Sequence, residues 1–173
     1  MINKKYLKNL RSKEINRKND FIFDLYNERI IDSLEIINLN FKKILILGDH
    51  GLKLKKFIDN KYINNSVILY DFKKNDFDLD EWEYETKKYD LIISNFFLFL
   101  SDKFDNLLKK ILFSLAPNGF FLATLPTEDN FKALKLAMIK TDMELYGGAF
   151  NRFNHYLELT KIIDLLKKND FKI

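Results

Sequence analysis

The chain has 173 residues, 47% of them apolar and 31% charged, enough for one folded domain that needs neither metal nor disulfide to hold a core. It contains no cysteine, which excludes disulfides, thiolate metal sites and a cysteine nucleophile. Its net charge is a modest +4, no stretch reaches the apolar length of a membrane span, and the first residues lack the apolar core of a signal peptide, so the expected location is cytoplasmic.

Residues 1–19 read as a basic arm. The run KKYLKNLRSKEINRK over 4–18 suits a solvated segment better than one bound to nucleic acid or an anionic membrane. Across 20–39, Phe21, Leu25, Ile30, Leu34 and Ile37 recur at helical spacing and predict an amphipathic helix. Residues 41–48 (FKKILILG) form a continuous apolar run stopped by glycine, the pattern of a buried parallel strand. A short basic helix follows over 52–59, then a strand over 66–71 (SVILYD) that ends on a carboxylate. The acidic stretch 72–88 reads as loop, with at best a brief edge strand near 77–79.

Residues 89–94 (YDLIIS) form the next strand, 104–115 a helix with an apolar period, and 120–124 another strand. Between helix and strand lies Ala116-Pro117-Asn118-Gly119. Pro117 suits a helix end because it lacks an N–H, and Gly119 is expected to supply a backbone angle that larger residues resist. A helix over 129–146 stops at Gly147-Gly148, and a last helix spans 157–168.

This alternation predicts an α/β fold: a Rossmann-like, doubly wound, mainly parallel sheet of five strands in the order 3-2-1-4-5, the third vestigial, with helices on both faces. Residues 20–173 form one domain in this reading. Ligands of such sheets lie beyond the carboxyl ends of the strands, where the strand order reverses, here beside Gly48, Asp71 and Ser94.

The strand Tyr89-Asp90-Leu91-Ile92-Ile93-Ser94 and the turn Leu115-Ala116-Pro117-Asn118-Gly119 resemble the "fDlvvS" and "LkPgG" segments of class I S-adenosylmethionine-dependent methyltransferases. The resemblance implies S-adenosylmethionine as cofactor. It places Gly48, Asp49 and Gly51 in the glycine loop, Asp71 at the ribose hydroxyls, and Ser94 and Asn95 at the substrate-facing edge. As an ordinary strand-end carboxylate, Asp71 would instead cap the strand or face water, and Asn95 would cap a turn. Asp78 or Asp80 would meet the adenine with Trp82 as a stacking face; the alternative is a solvated acidic loop anchored by that tryptophan. Two positions depart from the pattern. Ile46 replaces the usual acidic residue, and His50 stands where a second glycine lets backbone approach the ligand.

Residues 127–156 (TEDNFKALKLAMIKTDMELYGGAFNRFNHY) are similar to a pattern in the mitochondrial complex I assembly hydroxylase and its alphaproteobacterial relatives. The malonyl-carrier-protein methyltransferase of biotin synthesis is a more distant cousin. Asp142 and Glu144 fall on the pattern's acidic pair, Arg152 on its basic position and Tyr156 on its terminal aromatic, while Ala133 and Phe150 depart from it. The resemblance implies a protein or acyl-carrier substrate, with Arg152 and Tyr156 binding it. Paired glycines permit a reversal that would carry Arg152 over the strand ends, where its planar fork suits a carboxylate; otherwise it is a solvated arginine after a helix cap.

The hydroxylase relatives imply oxidation of an arginine on a respiratory-chain subunit. Yet the chain has only His50 and His155, with no facial-triad spacing, so no metal site is read from the residues. The relatives' strands six and seven are absent here, leaving a sheet edge expected to be covered by a protein partner or by self-association. Two functions therefore compete: an S-adenosylmethionine-dependent methyltransferase, and a non-catalytic methyltransferase-like binding or assembly module with an eroded cofactor loop.

Overall fold

The computed structural model describes residues 21–48, 52–70, 78–152 and 156–173. The basic arm lies outside the described residues, as do Asp49, His50, Gly51, Asp71 and His155. In chain order the elements are α1 (Phe21–Ile36), β1 (Lys43–Leu47), α2 (Lys53–Lys61), β2 (Ser66–Tyr70), β3 (Tyr89–Asn95), a 3-10 turn (Leu98–Leu100), α3 (Phe104–Ser114), β4 (Leu115–Thr124), α4 (Lys132–Tyr146) and α5 (Leu159–Lys168). They form two compact units, divided between Leu125 and Pro126.

The first unit holds a four-stranded sheet in the order β2-β1-β3-β4, every pair parallel. This is the expected order without its third strand. Among the described residues that strand does not form: Asp78 precedes a turn, and Leu79 lies in it. The acidic stretch has too few alternating apolar residues to build a pleated edge. It drops Leu79 and Trp82 into the core instead, leaving them 1% and 4% exposed.

Alternation along the strands explains why both sheet faces are buried. Ile44 and Ile46 of β1 lie level with Leu91 and Ile93 of β3, and all four pack with Ile30 and Leu34 of α1 and Leu54 and Ile58 of α2. The intervening Leu45, Leu47 and Ile92 are equally inaccessible on the opposite face. Near-continuous apolar strands are what a parallel sheet covered on both sides requires. Asp90 adds a tie at the amino ends: its Oδ2 accepts from the backbone N–H groups of Lys42 and Lys43, both at 3.0 Å.

The crossover from α3 to β4 differs from expectation in one respect. Leu115 already pairs with Tyr89, while Phe120 pairs with Leu91, so residues 116–119 bulge out of the ladder rather than preceding the strand. The left-handed backbone falls on Asn118 (φ 61°), a residue type that tolerates it, and not on Gly119. Gly119 answers a need for space. A Cβ there would sit 2.9 Å from the Ala116 carbonyl oxygen and 3.0 Å from that of Tyr89.

In the second unit, α4 starts three residues later than its apolar pattern implies, after Phe131 in a left-handed conformation. It ends at Gly147 (φ 67°), whose N–H donates to the Met143 carbonyl at 3.1 Å, the αL termination expected of a helix-ending glycine. The Glu128 N–H donates to the Leu157 carbonyl at 3.3 Å, joining the segments that precede α4 and α5.

Candidate functional site

The carboxyl ends of β1 and β3 meet at Gly48. Its N–H donates to the Tyr70 carbonyl at 2.9 Å, extending the β1–β2 ladder one residue past the strand. Its φ of +78° lies in the left-handed region, which favours glycine. A Cβ at Gly48 would stand 2.9 Å from the Phe97 ring and 3.0 Å from the Asn95 carbonyl oxygen. Glycine is thus required by the turn and by the neighbouring strand end together.

Past the turn, α2 begins at Lys53, whose ammonium donates to Glu28 Oε1 at 3.0 Å and lies 3.6 Å from Asp24 Oδ1, both on α1. The hydrogen bond to Glu28 raises the Lys53 pKa above its ordinary value, with burial opposing it and the charges of Glu28 and Asp24 adding to it. These charges are exposed, so the pair orients α1 more than it stabilises the fold.

Ser94 and Asn95 end β3, and both are fully buried. They point to opposite faces of the sheet. Asn95 faces α1: its Nδ2 donates to Asn27 Oδ1 at 2.6 Å, and its Oδ1 accepts from Thr124 Oγ1 at 2.5 Å. The next residue, Phe96 (φ 48°), packs edge-on against Phe23 and Tyr26 of α1, with ring centroids 5.8 and 4.5 Å apart. Among the described residues, Ser94 Oγ and Asn27 Nδ2 are buried without hydrogen-bond partners.

The structure therefore brings Gly48, Ser94 and Asn95 together, Ser94 lying level with Leu47 and Asn95 beside Gly48. Asp49, Gly51 and Asp71 lie outside the described residues, so their assignments stay as expectations. Of the two readings of the acidic stretch, the anchoring tryptophan is the one the structure shows. Trp82 is a core anchor, packed edge-on to Tyr84 at 6.3 Å and only 4% exposed, so its ring offers no open stacking face. Asp80 accepts from the Ser101 hydroxyl and from the Asp102 N–H at 3.2 Å. Asp78 Oδ1 accepts from the Asp80 N–H at 2.9 Å in a local turn. Lys110 of α3 holds this segment by donating to the carbonyls of Asp80 and Trp82, at 3.0 and 2.9 Å.

Arg152 and Tyr156 belong to the second unit. Arg152 meets a carboxylate, and that carboxylate is Asp142 of α4. Nε and Nη2 reach Oδ2 and Oδ1 at 3.0 and 2.7 Å, while the Phe150 N–H also donates to Oδ2 at 3.2 Å. The Arg152 side chain is 41% exposed and that of Asp142 only 6%. Hydrogen bonding to Arg152 holds the Asp142 carboxyl below its ordinary pKa, outweighing burial, and the backbone bond from Phe150 adds to it. A cleft of about 310 Å³ is lined by Met138, Thr141, Asp142, Tyr146 and Arg152 among others. Tyr156 is half-buried.

The residues that sequence reasoning missed are Asn27 and Thr124. Their polar side chains at an otherwise apolar helix face and strand end were the available signal.

S-adenosylmethionine, which the resemblance implies, needs a sharp backbone turn after β1 and polar groups at the strand ends. The described residues fit: Gly48 makes the turn, and Ser94 and Asn27 hold unpartnered polar atoms at the same edge of the sheet.

Residues 42–173 match the family model described as a methyltransferase domain. Solved structures share the fold at low identity. A possible sarcosine dimethylglycine methyltransferase of Galdieria sulphuraria is 17% identical with a TM-score of 0.58, over 83% of this chain and 60% of that one. A possible S-adenosylmethionine-dependent methyltransferase of Listeria monocytogenes is 17% identical with a TM-score of 0.54, over 85% of this chain and 81% of that one. The Haemonchus contortus N-methyltransferase 2 solved with phosphomonomethylethanolamine and S-adenosylhomocysteine is 18% identical with a TM-score of 0.55, over 83% of this chain but 36% of that one. No curated protein matches the chain. With the family model covering β1 to the last residue, and the parallel sheet shared with these structures, the chain belongs to the methyltransferase domain family, on the class I S-adenosylmethionine-dependent methyltransferase fold.

Proposed function

We propose that this protein is an S-adenosylmethionine-dependent methyltransferase acting on a protein or acyl-carrier substrate, with its cofactor over the carboxyl ends of β1, β2 and β3. The observation that carries the reading is the turn at Gly48, set against the end of β3 in a chain whose residues 42–173 match the methyltransferase domain.

In this reading Gly48, Asp49 and Gly51 hold the methionyl end, Asp71 accepts from both ribose hydroxyls, and the Ser94 hydroxyl and Asn95 face the reacting side. When bound, the cofactor supplies a methyl group on a sulfonium, open to attack by a nucleophile of the substrate. The chain's task is then placement at near-attack distance and exclusion of water, which asks little of titrating side chains. Apolar cover from Phe96 and Phe97 suits that task, since Phe97 is inaccessible to solvent.

The substrate class rests on the resemblance of residues 127–156 to the assembly hydroxylase and biotin-synthesis families. Arg152 is its substrate-binding residue, and a substrate carboxylate would compete with Asp142 for the guanidinium fork. The assembly-module reading draws on a different observation: the space beside Gly48 is filled by Phe97 and the Asn95 carbonyl, and the Asn95 side chain is committed to packing.

The test is binding and turnover in Asp71→Ala. Loss of two charge-assisted hydrogen bonds predicts weaker S-adenosylmethionine affinity by at least about tenfold, with methyl transfer falling in step. Unchanged affinity removes the ribose assignment. Binding without transfer to any protein or acyl-carrier acceptor supports the assembly module.

A further inference from the structure

At the other end of the sheet from Gly48, α1 ends at Ile36 and α2 at Lys61, and the segments after them lead into the amino ends of β1 and β2. Between these helix ends lies a cavity of about 530 Å³, lined by Glu35, Asn38, Asn40, Lys61 and Tyr62, with Ile37 and Leu39 as its apolar wall. The five residues of β1, roughly 16 Å of extended chain, separate it from the turn at Gly48.

The charges around this cavity are incomplete. Glu35 and Lys61 both line it, yet among the described residues neither forms an ion pair, with the other or with a third group. The Lys61 ammonium donates to the Leu34 carbonyl in the last turn of α1 and stands 5.9 and 5.6 Å from the ring centroids of Phe57 and Tyr62. Two of its three N–H donors remain for a ligand. Tyr62 is 2% exposed, and its hydroxyl is buried with no hydrogen-bond partner among the described residues. Burial raises its pKa, so the hydroxyl keeps its proton and remains a donor.

An ammonium beside a protonated hydroxyl suits a carboxylate. Glu35 and the last carbonyls of α1, which carry the negative end of the helix dipole, suit a cation. A ligand of one sign satisfies one of these groups and is repelled by the other, whereas a ligand carrying both completes the pair. The apolar wall and the two asparagine amides leave room for a short apolar body and ordered water. We propose that this cavity binds a zwitterionic amino acid with an apolar side chain, its carboxylate on Lys61 and Tyr62 and its ammonium on Glu35. The site is separate from the cofactor's, and the proposal stands whether or not S-adenosylmethionine binds.

The experiment is isothermal titration with L-leucine, with 4-methylpentanoate, which lacks the ammonium, and with 3-methylbutylamine, which lacks the carboxylate. Leucine should fill one saturable site, each analogue should bind at least about tenfold more weakly, and saturating S-adenosylhomocysteine should leave leucine within about twofold. Glu35→Gln, at an exposed position, should weaken leucine at least about tenfold with the melting temperature unchanged. Tyr62→Phe removes only a hydroxyl that has no partner, so it should weaken leucine about fivefold without lowering the melting temperature. Absence of saturable leucine binding, analogues that bind as tightly, or unchanged affinity in either variant overturns the proposal. Displacement of leucine by S-adenosylhomocysteine would put it at the Gly48 end of the sheet and overturns it as well.

Discussion

At Gly48 a missing side chain does two jobs, permitting a left-handed turn and leaving room for the Phe97 ring and the Asn95 carbonyl. Gly48→Ala should therefore destabilise the protein by ~2–3 kcal/mol, measured by chemical denaturation, whether or not a ligand binds. The stop after β1 was legible from sequence because glycine ends an apolar run; the neighbour that makes it obligatory comes from 49 positions away in the chain. Asp90 teaches the same lesson. Within "YDLIIS" it reads only as part of a pattern, while in the fold its carboxylate caps two backbone N–H groups where β1 begins. Asp90→Ala should cost about 1–3 kcal/mol, and Asp90→Asn should recover part of that loss.

Asp142 gives the pH dependence. Its folded pKa is depressed by Arg152, so its contribution to stability is present at neutral pH and is lost as the pH falls below the ordinary carboxylate value of 3.8. Acid titration of helix content should show a loss in the unaltered chain that is flatter in Asp142→Asn, which lacks that carboxylate. Arg152 itself was visible in the sequence as a fork in search of a carboxylate. Nothing in the pattern indicated that the chain supplies one ten residues earlier.

Elements were most legible where period and burial agree. The apolar strands β1 and β3 and the helices α1 and α3 lie close to where their spacing puts them, because a parallel sheet with two covered faces leaves little choice of register. The segment between β2 and β3 was harder to read. A tryptophan among acidic residues reads either as a ligand platform or as an anchor, and the fold uses it as an anchor, with Lys110 of α3 clasping the backbone on either side of Glu81. Trp82→Ala should cost ~3–5 kcal/mol as a core truncation and lower S-adenosylmethionine affinity only as far as folding is lost. A Trp82→Phe variant that keeps the melting temperature but loses affinity would return the ring to the ligand. The crossover into β4 was recognisable from Pro117 and Gly119, but the division of labour between Asn118 and Gly119 depends on how closely β3 approaches, which no local pattern records.

Over the whole molecule, the β-α alternation and one crossover were enough to reach the fold class, since few chain paths wind a parallel sheet with right-handed connections. The site was less legible, because its polar members arise from α1, β3 and β4 and meet only in the folded chain. The central claim is that this fold still binds its family's cofactor despite Ile46 and His50 in the glycine-loop sequence. Isothermal titration of the unaltered chain with S-adenosylmethionine, with NAD and ATP as controls, tests it most directly. The account predicts one saturable site for S-adenosylmethionine and no measurable heat from either control; a flat titration, or equal binding of all three, would contradict it.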